Sequence, residues 1–121
     1  ANTDPPPQYF VLDLSDLIKK PDIINVFGFY CWHDYSTNPA EIELMVSSDG
    51  RKFGSVGVYE CEIAAGWQYF RFSPVPIAKA QLFKVVVLKN GGDGQTYMNQ
   101  VLIGYEQLQH AESELEKLLP P

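Results

Sequence analysis

Short runs in which apolar side chains recur at every second position, each cut off by Pro, Gly, Asn or Asp, limit this chain to an all-β fold. In residues 9–14, Phe10, Leu12 and Leu14 share one face. In residues 41–46, Ile42, Leu44 and Val46 do the same, and the Ser47-Ser48-Asp49-Gly50 turn that follows closes a hairpin. Residues 23–32 are rich in β-branched and aromatic side chains and read as a central strand. Residues 53–63 give another strand, where Gly54 and Gly57 suggest a bulge or a close backbone approach. Residues 67–72 place Trp67, Tyr69 and Arg71 on one face and Gln68, Phe70 and Phe72 on the other, before Pro74 and Pro76 break the chain. Residues 82–88 form a near-continuous apolar run, expected to be buried on both sides. The glycine-rich loop Asn90-Gly91-Gly92-Asp93-Gly94 needs positive φ in places. Residues 97–105 read as the last strand. About seven strands with Pro- and Gly-rich connections predict an antiparallel β-sandwich.

The chain divides into a proline-rich lead-in (1–8), the sandwich (9–105) and a tail (106–121). The tail changes period. Leu108, Ala111, Leu115 and Leu118 recur at three and four residues, the seam of a short C-terminal helix that could start a coiled coil and support self-association.

A chain of 121 residues suits one domain and can bury a core without disulfide staples. The net charge is −6, and the nine Lys and Arg residues never cluster beyond a pair, which argues against nucleic acid or anionic lipid as the main partner. No apolar stretch approaches the roughly 18 residues of a membrane span. Residues 1–7 lack the pattern of a signal peptide, and the absence of an initiating Met suggests a piece of a larger protein or a processed or tagged chain. The two cysteines, Cys31 and Cys61, allow one disulfide at most and have no zinc-ligand spacing, so free buried thiols are expected.

Several segments, taken in order, resemble galactose-binding-like jelly rolls. Residues 10–14 (FVLDL) are similar to the early strand of that fold. Residues 42–53 (IELMVSSDGRKF) resemble the hairpin of discoidin and coagulation-factor C-type domains. Ala65-Gly66-Trp67 followed by Phe70, and residues 88–103 (LKNGGDGQTYMNQVLI), are similar to segments of Doc domains. SUN domains share the outline, and residues 89–101 also resemble the N-terminal jelly roll of a centrosomal and ciliary-tip protein family that continues into coiled coil. The resemblance implies a non-catalytic protein–protein interaction module of a larger scaffold protein. That protein would be cytoplasmic, at a cytoskeleton, centrosome or cilium, and would recognise a protein or peptide. The alternative is a discoidin-like module that binds carbohydrate or a lipid head group.

Residues able to carry chemistry are few. Cys31, His33 and Asp34 would have to converge to act as a nucleophile set. On extended chain Cys31 and His33 lie about 7 Å apart while Asp34 points away. The pairs Glu41/Glu43 and Glu60/Glu62 each share the outer face of a strand, as solvated carboxylates do. The sequence therefore predicts no enzyme, no catalytic residue and no cofactor, apart from the weak option of Ca²⁺ at Asn90 and Asp93. Loops gather at the ends of a sandwich and carry recognition. Trp32, His33, Tyr35, Asn90, Asp93, Gln95, Tyr97 and Asn99 are the candidate ligand- or partner-binding residues on that ground.

Overall fold

A computed structural model describes residues 6–15 and 22–107. Seven strands occur among them: β1 (Gln8–Asp13), β2 (Ile23–Cys31), β3 (Pro39–Ser47), β4 (Gly54–Glu60), β5 (Gly66–Pro76), β6 (Leu82–Asn90) and β7 (Gln100–Gly104). A short 3₁₀ turn, Ile77–Lys79, precedes β6. The strands form a four-stranded sheet in the order β1-β6-β3-β4 and a three-stranded sheet in the order β5-β2-β7. All pairings are antiparallel. The chain is thus the antiparallel sandwich that the alternation predicts. The tail residues Leu108, Ala111, Leu115 and Leu118 lie outside the described residues, and so does the expected helix.

The core lies between the sheets. Phe27 and Phe29 of β2 and Phe70 and Phe72 of β5 meet Ile42 and Leu44 of β3 and Phe83, Val85 and Val87 of β6. Phe83 stacks on Phe27 at 5.7 Å between ring centres, and Phe29 stacks on Phe70 at 5.7 Å. Aromatic pairs at this separation add attraction beyond the burial of their area. Phe10, Leu12 and Leu14 of the first run pack against or within this cluster, on the face their alternation assigns. One phenol ties the sheets together: Tyr59 of β4 donates its hydroxyl to the Arg71 carbonyl of β5 at 2.8 Å.

Three expectations are corrected. The run 82–88 is buried on one side only. Phe83, Val85 and Val87 point inward, while Leu82, Lys84, Val86 and Leu88 are half-buried on an outer face. An antiparallel sheet needs only one covered face, and Lys84 in mid-run marks the open one. Pro74 and Pro76 do not end their strand, because β5 is an edge strand and can place prolines where no ladder donor is needed. The last strand starts at Gln100 rather than Tyr97. The Tyr97 N–H donates to the Thr37 carbonyl at 2.9 Å, and this draws the chain toward the β2–β3 loop.

Candidate functional site

Three loops meet at one end of the sandwich: 32–38 after β2, 61–65 after β4 and 91–99 after β6. Their contacts are specific. Asn38 is buried and donates its Nδ2 to the carbonyls of His33 at 2.7 Å and Ala64 at 3.3 Å. Its own carbonyl accepts the Gly91 N–H at 3.1 Å. A Cβ at position 91 would stand 2.6 Å from the Ser36 Cα, so only glycine permits this approach of the two backbones. Asn90 builds the 91–96 loop from inside. Its Nδ2 faces the Asp93 and Gln95 carbonyls and the Thr96 hydroxyl at 2.8–3.0 Å, and its Oδ1 accepts the Gly92 N–H at 2.9 Å. Gly92 supplies the positive φ of 111° that the turn needs.

Against this frame sits a shallow cup of about 260 Å³, lined by His33, Tyr35, Thr37, Asn38, Tyr97 and Asn99. The rings of His33 and Tyr35 stack with centres 4.6 Å apart and planes 16° from parallel. Trp32 stands beside the cup, its backbone N–H donating to Asn99 Oδ1 at 2.8 Å. The Tyr97 hydroxyl bonds to Gln95 Oε1. Trp32, Tyr35 and Tyr97 are 63%, 58% and 45% exposed, too open to be plugs for the end of the core.

The eight candidates therefore gather at one end and divide by role. His33, Tyr35, Tyr97 and Asn99 line the cup, with Trp32 on its rim. Asn90, Asp93 and Gln95 face the loop. Asp93 Oδ1 accepts the Gln95 N–H at 3.1 Å, and its Oδ2 accepts the Ser36 hydroxyl at 3.3 Å. Both residues of the Ca²⁺ option thus bond to the loops themselves, Asn90 within 91–96 and Asp93 to Gln95 and to Ser36 of the neighbouring loop. Among the described residues, no group of three or more His, Cys, Asp and Glu side chains could hold a metal ion. Thr37 and Asn38 were missed by the sequence reading. Asn before Pro39 reads as ordinary turn chemistry, and nothing local marks it as the junction of three loops.

The other groups do not converge. The buried Cys31 thiol faces the Tyr97 carbonyl at 3.6 Å, and the His33 ring is turned onto Tyr35. Burial pushes the Cys31 thiol up. Burial first, then Cys31 and Glu41, push Cys61 up to about 12. Both thiols are unpaired. Glu41 and Glu60 are direct neighbours on β3 and β4 of one sheet, not partners across a cleft.

A second depression, about 600 Å³, runs between the β1 and β7 edges, with Phe10, Val87, Met98 and Val101 among its lining residues. Tyr97 and Asn99 border both depressions. The side groove also sets amide and hydroxyl groups, those of Gln8, Thr96 and Gln100, beside the Tyr9 and Phe10 rings, but it lacks the parallel ring pair that His33 and Tyr35 present in the cup. Ligand sites join apolar faces to a few placed polar atoms, and the cup is the candidate because it sets Thr37 and Asn99 beside those stacked rings.

The sandwich carries an aromatic and polar cup at one end, and its fold has likenesses among solved structures. No protein-family profile matches the chain, and no curated protein matches it. Among solved structures, the chain is similar to the module CpGH89CBM32-5 from Clostridium perfringens in complex with GalNAc-β-1,3-galactose, with TM-score 0.68, 21% identity, and 84% of this chain and 68% of that one covered. It is similar to the C-terminal domain of a chitobiase from Bacteroides fragilis, with TM-score 0.60, 17% identity and coverage of 83% and 64%. A third likeness is to CBM32-3 from a family 31 glycoside hydrolase of Clostridium perfringens, with TM-score 0.55, 18% identity and coverage of 85% and 65%. The chain spans about two thirds of each neighbour. The fold is a galactose-binding-like jelly roll, as the sequence resemblance implies.

Proposed function

We propose that the chain is a non-catalytic carbohydrate-binding module whose cup holds a single sugar ring. The observation that carries this reading is the parallel His33–Tyr35 ring pair beside Thr37 and Asn99 in an open cup. A sugar offers C–H faces that pack on aromatic rings and hydroxyls that exchange hydrogen bonds with amide and hydroxyl side chains. At about 260 Å³ the cup falls below the roughly 300–1,000 Å³ of drug-sized ligands, which suits one ring rather than an oligosaccharide. The sugar-binding modules named among the neighbours support this alternative over the protein-scaffold reading.

The test is a glycan array followed by calorimetry with free sugars. The wild-type chain binds at least one sugar, and Tyr35→Ala weakens binding about tenfold through loss of one stacked ring. An array without signal, or a Tyr35→Ala variant that binds like the wild type, refutes it.

A protein partner at the same rim is the second reading. It is favoured by the exposure of Trp32, Tyr35 and Tyr97, since Trp and Tyr are enriched where proteins bind one another. Self-association and placement at a cytoskeleton, centrosome or cilium belong to this reading, and they lean on a tail whose residues from 108 onward lie outside the described residues. Among the described residues, no helix is long and apolar enough to cross a membrane.

A further inference from the structure

The outer face of the three-stranded sheet carries a row of aromatic rings that the core does not use. Trp67 and Tyr69 alternate outward from β5, opposite Tyr30 and Gly28 of β2. On the other side of β2, Gln100 and Leu102 of β7 stand beside the same two residues. Tyr30 and Trp67 lie 5.6 Å apart between ring centres, and Trp67 and Tyr69 lie 5.7 Å apart with planes 7° from parallel. Gly28 explains how Tyr69 is seated: a Cβ there would be 2.8 Å from Tyr69 Cδ1, so the bare backbone lets the ring lie against the sheet. Trp67, Tyr69 and Leu102 are 38%, 46% and 41% exposed.

The charges on this face limit what it can take. Among the described residues, the one ion pair there is Arg71 with Glu106, at 2.6 Å, and each neutralises the other. The remaining outward positions in these registers are Tyr30, Gly28, Val26, Trp67, Tyr69, Gln100, Leu102 and Gly104. Among the described residues, a chain of net charge −6 thus keeps one broad aromatic face free of unpaired charge. A basic or an acidic partner would find no complement on it, whereas an uncharged polymer loses nothing by covering it. The row runs along the strands, so an extended polymer can meet successive rings.

We propose that this face is a second binding surface, for one extended strand of uncharged polysaccharide. It extends the glycan-binding reading to a surface that shares no residue with the cup, so the two can fail separately.

The test is native electrophoresis of the full chain through gels containing hydroxyethylcellulose, galactomannan or arabinoxylan. At least one polysaccharide retards the wild type. Trp67→Ala and Tyr69→Ala each weaken that retardation about tenfold, while Trp67→Phe keeps part of it. Leu102→Glu, which adds a charge without removing a ring, also weakens it, and thermal melts verify that each variant is folded. In a Tyr35→Ala background, which weakens the cup, Trp67→Ala still lowers the retardation further. Absence of retardation by all three polymers overturns the proposal, and so does retardation insensitive to Trp67→Ala and Leu102→Glu. A change of mass in light scattering on Trp67→Ala, with no change in retardation, overturns it in favour of contact between two copies of the chain.

Discussion

Adding one methyl group at Gly91 tests whether the loops are locked together as the geometry requires. The new Cβ would lie 2.6 Å from the Ser36 Cα, 2.8 Å from the Ser36 carbonyl oxygen and 3.0 Å from the carbonyl carbon. Carbon atoms in contact prefer about 3.5–4.0 Å, so the loops must part by about 1 Å. No flexible side-chain end can yield, because all three atoms are backbone. Parting strains the bond from the Gly91 N–H to the Asn38 carbonyl and the bond from the Tyr97 N–H to the Thr37 carbonyl. Overpacking of this kind costs about 1–3 kcal/mol, a fall of roughly 5–15 °C in melting temperature for a domain of this size. Separation also splits the cup, since His33 and Tyr35 ride on one loop and Tyr97 and Asn99 on the other. Gly91→Ala is therefore expected to lose both stability in urea titration and sugar binding in calorimetry. The control is Gly54→Ala, where nothing lies within 4 Å of the added atom, and the change should stay within about 0.5 kcal/mol. A Gly91→Ala protein that melts and binds like the wild type would refute the reasoning.

Three further outcomes follow from other parts of the molecule. Phe27→Ala empties a fully buried ring site between the sheets and is expected to cost about 3–5 kcal/mol in urea denaturation; a loss below about 1 kcal/mol would mean that the core repacks. The Arg51 and Lys52 N–H groups and the Ser47 hydroxyl hold the Asp49 carboxyl below its ordinary 3.8. Its contribution to stability is therefore present above that value and fades as the pH falls below it, so Asp49→Ala should be less stable than wild type at about pH 6 and converge with it near about pH 2. Cys61, pushed up to about 12 by burial, stays a neutral thiol well above the ordinary 9.0, so its contribution is whole below pH 9.0 and declines from there toward about 12. Iodoacetamide at about pH 8 should label neither cysteine in the native protein and both in denaturant, as read by mass spectrometry.

The architecture was legible because period-two alternation is a local signal. Ile42 and Leu44 could be assigned to the core without knowing what covers them, whereas Phe70 and Phe72 could be set on one face of their strand but not on the inner one, because Trp67 and Tyr69 make the opposite face equally aromatic. Edges and partners were not local. Pro74 and Pro76 are tolerated only because β5 borders its sheet, a fact of strand order that no window of sequence contains. Val86 reads like Val85 and Val87, yet it lies outward because antiparallel pairing leaves that face open. The clustering of the candidate residues was legible by type and place, in that exposed aromatics and amides near strand ends do meet at one pole. The division of labour among them was hidden, since it depends on contacts between loops some sixty residues apart, such as Trp32 with Asn99 and Ser36 with Asp93.

That division has a measurable consequence. Loop amides look alike in sequence whether they face a ligand or their own backbone. Among the described residues the Asn90 side chain bonds to its own loop, while Tyr35 packs on His33 at the open cup. Asn90→Ala releases the Asp93 and Gln95 carbonyls and the Gly92 N–H. Water can replace some of these partners on an exposed loop, so the loss should be about 1–2 kcal/mol rather than the sum of the bonds. Any weakening of sugar binding would then arrive together with a lower melting temperature. Tyr35→Ala removes an exposed ring that braces nothing in the core, so binding should fall while the melting temperature holds. Plotting affinity against stability for the two variants separates a residue that holds the site from one that meets the ligand. If Asn90→Ala lost affinity at full stability, its amide would belong to the ligand, and the assignment of the cup would have to move toward the 91–96 loop.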